Sequence, residues 1–446
     1  MVEKLVTPFL KFAKVEKSSG VLLFIATIIA LLWANSPFQE SYHHIWQYKI
    51  GIISEHFSLY KPLVLWINDG LMTIFFFLIG LELKRELLIG ELDTTRKASF
   101  PILAAIGGMI MPVCLFIVLN KNPETINGWG IPMAADIAFI LAILNVLGKR
   151  VPVSLKVFLT AFAIIDDIGA VVVIAIFYSS GIKWGLLAIA GILLLFLTWL
   201  SYKKIDSKYI FGTLAVIIWL LFLKSGIHPT VSGVLLAFTV SIRQRIDVRA
   251  YTSKLLEIAT ELKNEETQSD IVLNKTQVSQ VYGIEVITDS VQSPLQQKEH
   301  RLHYIVAYFI VPLFALANAG VSINSEMNIE IPLVINTVLC LIVGNFVGVT
   351  VFSFISLKLK ITQLPQNTVF SHILGVACLA GVGFTMSIFI ANLAFSVNPA
   401  FVDSAKIGIL IGSFLSGVLG FIWLRIKGGN NNAQRKNKFK PNVELT

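Results

Sequence analysis

Apolar runs of bilayer length decide what this chain can fold into. A hydrocarbon core about 30 Å thick takes roughly 20 residues of helix to cross. Such runs stand at approximately 19–35, 62–83, 98–119, 127–146, 153–178, 184–201, 209–223, 226–242, 302–320, 332–356, 370–395 and 404–425. They predict an all-α polytopic membrane protein of about twelve transmembrane helices. Composition points the same way. Of the 446 residues, 55% are hydrophobic and 14% charged, against roughly 45–50% and about 25% in soluble domains. The first run, Gly20–Trp33, is followed by no small-x-small cleavage pattern and by many more spans, so it reads as a first helix and not a signal peptide.

Charge sets the expected orientation. When the loops are numbered alternately with the N-terminus inside, only Lys49, Lys61, Lys121, Lys183, Lys224 and Lys406 of the 36 Lys and Arg fall outside. An excess of Lys and Arg marks cytoplasmic loops, so both termini are expected in the cytoplasm. The net charge of +9 is spread between apolar runs and forms no single basic patch, which argues against a nucleic-acid partner. The bilayer itself is the expected partner. Cys114, Cys340 and Cys378 lie in apolar segments at no metal-like spacing and read as buried small hydrophobes.

The expected organisation has four parts. Residues 1–242 form a membrane domain of eight spans, and 302–427 carry four more. Between them, 243–301 is polar and reads as a partly helical cytoplasmic insert, with an amphipathic helix near 250–264. The Asn- and Lys-rich tail 428–446 reads as disordered.

Carboxylates inside the spans carry the functional signal. An ionised Asp at a helix centre costs about 2.5–3.5 kcal/mol. Asp166 and Asp167 lie mid-span, as does Asp136, and Asp69 stands in Trp66-Ile-Asn-Asp-Gly70. The first three together would cost on the order of 8–10 kcal/mol on that scale, too much for a structural ornament. Two neighbouring carboxylates cannot both ionise cheaply where water is scarce. Hard cations prefer oxygen ligands. A pair of this kind can hold protons or a cation but not both fully, and that competition is sufficient for exchange. Adjacent helical residues point about 100° apart, so one Asp can face a cavity while the other approaches from its flank. The helix around Asp136 is expected to break at Gly130 and Pro132, and Gly381 and Gly383 interrupt the span 370–395 in the same way.

These residues sit in strings that closely resemble the NhaA family of bacterial sodium/proton antiporters. The strings are Trp66-Ile-Asn-Asp-Gly-Leu-Met72, Gly80-Leu-Glu-Leu-Lys-Arg-Glu86, Ala135-Asp-Ile-Ala-Phe139, Ala163-Ile-Ile-Asp-Asp-Ile-Gly169, Pro312-Leu-Phe-Ala-Leu-Ala-Asn-Ala-Gly320 and Gly383-Phe-Thr-Met-Ser-Ile-Phe-Ile390, in family order and covering nearly all but the insert and tail. The resemblance implies exchange of Na+ or Li+ for H+ across the bacterial inner membrane, in the service of sodium and pH homeostasis. It implies no enzymatic activity and no cofactor. It implies inverted repeats in which two broken helices cross at the midplane, an architecture for which NhaA is itself a type case. Asp166 and Asp167 would bind cation and proton, and Asp136 would balance helix ends at the crossing. A pH-response cluster would comprise Glu82, Glu299, His300 and His303, with His228 at the outer side; Asp69 is a separate candidate for the pH response, with an inward structural hydrogen bond as its alternative. A homodimer is also implied.

Two departures stand out. Asn345 and Phe346 occupy positions where the family's well-known form has Lys and Pro, and that Lys pairs with the first Asp of the dyad. Ala135 replaces a Thr beside Asp136. Without the ammonium, the proton coupling falls to Asp166 and Asp167 alone. Rival readings fit less well. An anion carrier would want a mid-span Arg. An intramembrane aspartyl enzyme would bring its two Asp from different helices. A channel would show a repeated filter-like segment.

Overall fold

A computed structural model describes residues 2–53, 58–90, 95–205, 207–244, 246–264, 272–322 and 328–427. The expected disordered tail lies outside the described residues. In chain order the helices are α1 Val2–Ala34, α2 Gln39–Gln47, α3 Leu63–Ile89 and α4 Thr95–Leu119. A 3-10 stretch, Pro123–Met133, leads into α5 Ile137–Leu147, and α6 Val153–Phe177 follows. Next come α7 Trp184–Tyr202, α8 Lys208–Ser225, α9 Thr230–Thr239, α10 Val248–Asn264 and α11 Lys275–Val291. The last five are α12 Pro294–Asn318, α13 Ile331–Lys358, α14 Phe370–Leu379, α15 Phe384–Ala394 and α16 Pro399–Lys427. Among the described residues, the one sheet is an antiparallel hairpin, β1 Lys49–Ile53 with β2 Ser58–Pro62, which joins α2 to α3 and was not legible as strand in the apolar pattern.

Among the described residues, eight helices are long and apolar enough to cross a bilayer, and three bent pairs raise the number to eleven. The remaining expected span, 226–242, is only the ten-residue α9, about 15 Å of helix at 1.5 Å per residue. Its shortness has a local cause. Gly226 takes a left-handed conformation (φ 92) at the end of α8, Pro229 precedes the first turn, and Val240 is extended after the last. Lys84 of α3 then donates to the carbonyls of Phe238 and Val240 at 2.6 and 2.5 Å, satisfying the end that a longer helix would have bonded itself. Lys406, counted as an outside-loop cation, instead stands within α16.

The helices pack in two groups. In one, α4 lies against α13 so closely that a Cβ at Gly107 or Gly348 would strike the facing backbone, and α6, α14, α15 and α16 join this group. In the other, α3 packs on α9, α7 on α8, and α12 against α3. α1 lies along both, touching α5 and α12. Large apolar side chains such as Ile192, Leu195 and Trp184 of α7 remain exposed, as lipid-facing residues are in a membrane protein. The same fact corrects one expectation: Cys340 is buried, but Cys114 is exposed and Cys378 only partly covered.

In the insert, α10 and α11 pair through Tyr251 Oη to Thr288 Oγ1 at 3.3 Å and Gln280 Nε2 to Glu261 Oε2 at 3.3 Å. A capping box, Ser293 with Gln296, then starts α12 at Pro294. Glu299 and His300 are therefore built on the same helix as the following span.

Candidate functional site at the helix crossing

Two helices are interrupted where the sequence placed Pro132 and the glycines. The 3-10 stretch and α5 meet at 43°, and α14 and α15 at 44°. Between them, Ala134 and Asp136 are extended. The two interruptions touch: Asp136 N donates to Val382 O at 2.6 Å. Glycines make room here, Gly383 for the facing interruption and Gly381 for α13 and α16. A Cβ at Gly381 would overlap the Leu341 carbonyl and Ser416 Oγ, and one at Gly383 would stand 2.6 Å from Ala134 O.

Asp136 caps both half-helices. Its Oδ1 accepts from Ala138 N at 3.1 Å and Phe139 N at 3.3 Å, in the first turn of α5. Its Oδ2 accepts from Thr385 N at 3.0 Å and Thr385 Oγ1 at 2.6 Å, in the first turn of α15. Helix N-termini carry unpaired N–H groups and a partial positive charge. One buried carboxylate answers both.

Asp166 and Asp167 project from α6, with 1% and 3% of their surface exposed. Asp166 Oδ2 accepts from Ala135 N at 2.6 Å, which joins the pair to the crossing. Oδ1 of each aspartate is buried with no hydrogen-bond partner among the described residues. Buried polar atoms are nearly always partnered, so two such oxygens on adjacent residues mark a place suited to a proton or a cation. No Lys or Arg forms an ion pair with either aspartate among the described residues. Ala135 contributes through its backbone, which its missing hydroxyl does not affect. Asn345, 1% exposed, donates from Nδ2 to Pro132 O at 2.9 Å and Leu341 O at 3.3 Å. Pro132 O belongs to the C-terminal end of the 3-10 stretch, so a neutral amide meets a negative helix end here.

Two polar clusters flank this centre along α3, separated by thirteen residues or about 20 Å of helix. In the first, Arg85 bridges Glu86 at 2.8 Å and Glu299 of α12 at 2.6 Å. His303 Nδ1 stands 3.9 Å from the buried Glu82. His300 faces outward against the Tyr304 ring at 5.5 Å. Glu82, Glu299 and His303 are thus brought together around Arg85, and His300 stands at the rim. In the second cluster, Asp69 meets Lys61 at 2.7 Å and His228 Nε2 at 3.5 Å. His228 Nδ1 lies 2.8 Å from Thr230 Oγ1. A π-helical turn, Ile67–Leu71, re-aims α3 at this point; such turns are frequent at functional sites.

Sequence reasoning treated Asp69 and His228 separately and overlooked Lys61, Thr385 and three asparagines, Asn68, Asn318 and Asn392, that bond to one another. The available signal for the asparagines was an amide in an otherwise apolar span.

Comparison with known proteins extends the resemblance over nearly the whole chain. The family model described as Na+/H+ antiporter 1 matches residues 10–424. A protein of Oleidesulfovibrio alaskensis named Na(+)/H(+) antiporter NhaA is 42% identical over 431 residues, 95% of each chain. A protein of the same name from Helicobacter pylori strain J99 is 45% identical over 416 residues, 93% of this chain and 94% of its own. Another from Bacteroides thetaiotaomicron is 42% identical over 423 residues, 93% of this chain and 96% of its own.

Proposed function

We infer that this chain, which belongs to the Na+/H+ antiporter 1 family, exchanges Na+ or Li+ for H+ by competition at Asp166 and Asp167. The carrying observation is the pair of buried Oδ1 atoms that have no hydrogen-bond partner among the described residues, beside the crossing. A carboxylate in that position is completed either by a proton or by a hard cation. Occupancy by one excludes the other, and alternating exposure of the pair to the two membrane faces turns exclusion into exchange. The protein is a carrier and not an enzyme.

The other residues support that centre. Asp136 offsets the two positive helix ends, Gly383 lets the two interruptions meet, and Gly381 lets α13 and α16 close on them. Ala135 N holds Asp166 in place. Asn345 satisfies the opposite, negative end without adding charge. The Asn345 amide leaves Asp166 and Asp167 as the groups that carry protons. The Glu82, Glu299, His303 and His300 cluster on one side, and the Asp69 and His228 pair on the other, set the response to pH. The excess of Lys and Arg in alternate loops supports a position for the Arg85 cluster and the insert 243–301 on the cytoplasmic face of the inner membrane. The family resemblance extends to a homodimer.

Dequenching of a pH-sensitive dye in everted vesicles on addition of Na+ or Li+ tests the assignment. Wild type should dequench the dye and Asp167→Asn should not. A variant with unchanged rate and sodium affinity removes the pair from the mechanism.

A further inference from the structure

α15 turns one face toward the second group of helices. Thr385, Phe389 and Asn392 are spaced four and three residues apart, so they share that face. Thr385 belongs to the crossing through Asp136. The Phe389 ring packs on Phe76 of α3 at 5.8 Å and on Phe314 of α12 at 6.3 Å, and it meets the His228 ring edge-on at 5.2 Å. Asn392 Nδ2 donates to Asn318 Oδ1 at 2.9 Å. A continuous seam therefore runs from the crossing to the membrane face where Asp69 and His228 lie, closed by an aromatic cluster and ending in an amide bond.

Asn318 is the hub of that ending. Its two N–H bonds go to Asn68 Oδ1 at 2.9 Å and Phe314 O at 3.0 Å. Its Oδ1 accepts from Asn68 at 3.1 Å and from Asn392 at 2.9 Å. All four hydrogen-bonding positions of the amide are filled. The bonds are unequal in kind. Asn68 and Asn318 exchange two bonds, and both belong to the group built on α3 and α12. Asn392 reaches across the seam with one. A paired tie within a group and a single tie between groups is the arrangement expected of a contact that opens while each group stays intact. An average hydrogen bond between membrane helices shifts an equilibrium roughly three-fold, and a strong one about twenty-fold. That is enough to bias the two states and too little to lock either.

We propose that the Asn392–Asn318 hydrogen bond is the latch of the gate on the Asp69–His228 face, and that Asn392 is a positioning residue which must release Asn318 for the aspartate pair to reach that face. The proposal rests on the exchange reading given above. It assigns the closed side of this structure to the face on which α15, α3 and α12 are packed and bonded.

The test uses oriented proteoliposomes of the full chain with Cys114, Cys340 and Cys378 replaced by serine and a single cysteine introduced as Phe389→Cys. A membrane-impermeant methanethiosulfonate reagent added on the Asp69–His228 face reports opening of the seam without requiring transport. Adding Asn392→Leu should raise the labelling rate by roughly three- to twenty-fold, and Asn392→Gln, which keeps the donor, should return it toward the parent. In the chain with Phe389 intact, Asn392→Leu should lower the apparent sodium KM on that face, because the competent state is more populated. Asn68→Leu breaks only the tie within one group and should lower thermal stability without raising labelling. The latch is overturned if Asn392→Leu labels at the parent rate, or if Asn68→Leu raises labelling equally. Failure of the exchange reading looks different: no sodium-driven proton movement in the wild-type chain, with labelling still responding to Asn392→Leu.

Discussion

Thr385 meets Asp136 twice, with its backbone N–H at 3.0 Å and its hydroxyl at 2.6 Å, and both bonds land on the same carboxylate oxygen. The backbone bond survives any side chain at 385, whereas the hydroxyl bond does not. A hydrogen bond to a charged group contributes about 1.5–3 kcal/mol. Thr385→Val should therefore melt at a lower temperature than wild type in detergent, and Thr385→Ser should melt close to it. Equal melting of all three would show that the hydroxyl does not hold the crossing.

Glycine tolerance should differ sharply along the chain. Gly381→Ala puts a methyl onto the Leu341 carbonyl, and Gly383→Ala puts one against Ala134 O, whereas a Cβ at Gly212 of α8 meets nothing within 4 Å. Overpacking typically costs about 1–3 kcal/mol. Gly381→Ala and Gly383→Ala should lose thermal stability and exchange rate together, while Gly212→Ala stays within error of wild type. Wild-type behaviour of both variants would mean that the packing around the crossing has room to spare.

Asn345 offers a third measurement. Asn345→Leu leaves the buried Pro132 carbonyl without its side-chain donor, a loss of about 1–3 kcal/mol. The variant should melt earlier than wild type, and Asn345→Gln should recover part of the loss if its longer amide still reaches Pro132 O. A Leu variant as stable as wild type would place the amide outside the support of the 3-10 end.

Arg85, Glu86 and Glu299 form one charged unit. Removing either end of a shared network disturbs the other, and such pairs couple by roughly 0.5–3 kcal/mol. Arg85→Gln and Glu299→Gln should each move the pH at which dye dequenching is half-maximal. The double variant should move it no further than the larger single. Additive shifts would mean that the two side chains act independently.

How much of this was legible in advance follows from which interactions are local. The spans are local, because twenty apolar residues announce a helix whatever surrounds them. Asp166, Asp167 and Asp136 were legible because a carboxylate in an apolar run is costly and therefore conspicuous. Partnerships were not. Nothing between positions 69 and 228 reveals that Asp69 and His228 converge. Arg85 and Lys84 look alike in sequence, yet Arg85 bridges to α12 while Lys84 turns away to close the end of α9. Asn345 was read by the charge it lacks, and its positive contribution, a donor to Pro132 O, appears only in three dimensions. The length of α9 was misjudged because a turn at Gly226–Pro229 and a lysine from another helix consume residues that hydropathy counts as span.

Asp136 draws its helix-end donors from two parts of the chain, and those in α15 lie 249 residues beyond it. When the ribosome has delivered only the first half of the protein to the membrane, this aspartate has the start of α5 to cap and nothing else. Assembly of the centre must wait for nearly the last helix, so quality control acting during synthesis meets an early half that still carries an incompletely satisfied acid. Lesions in α14 or α15 should accordingly appear as loss of protein from the membrane before they appear as altered exchange.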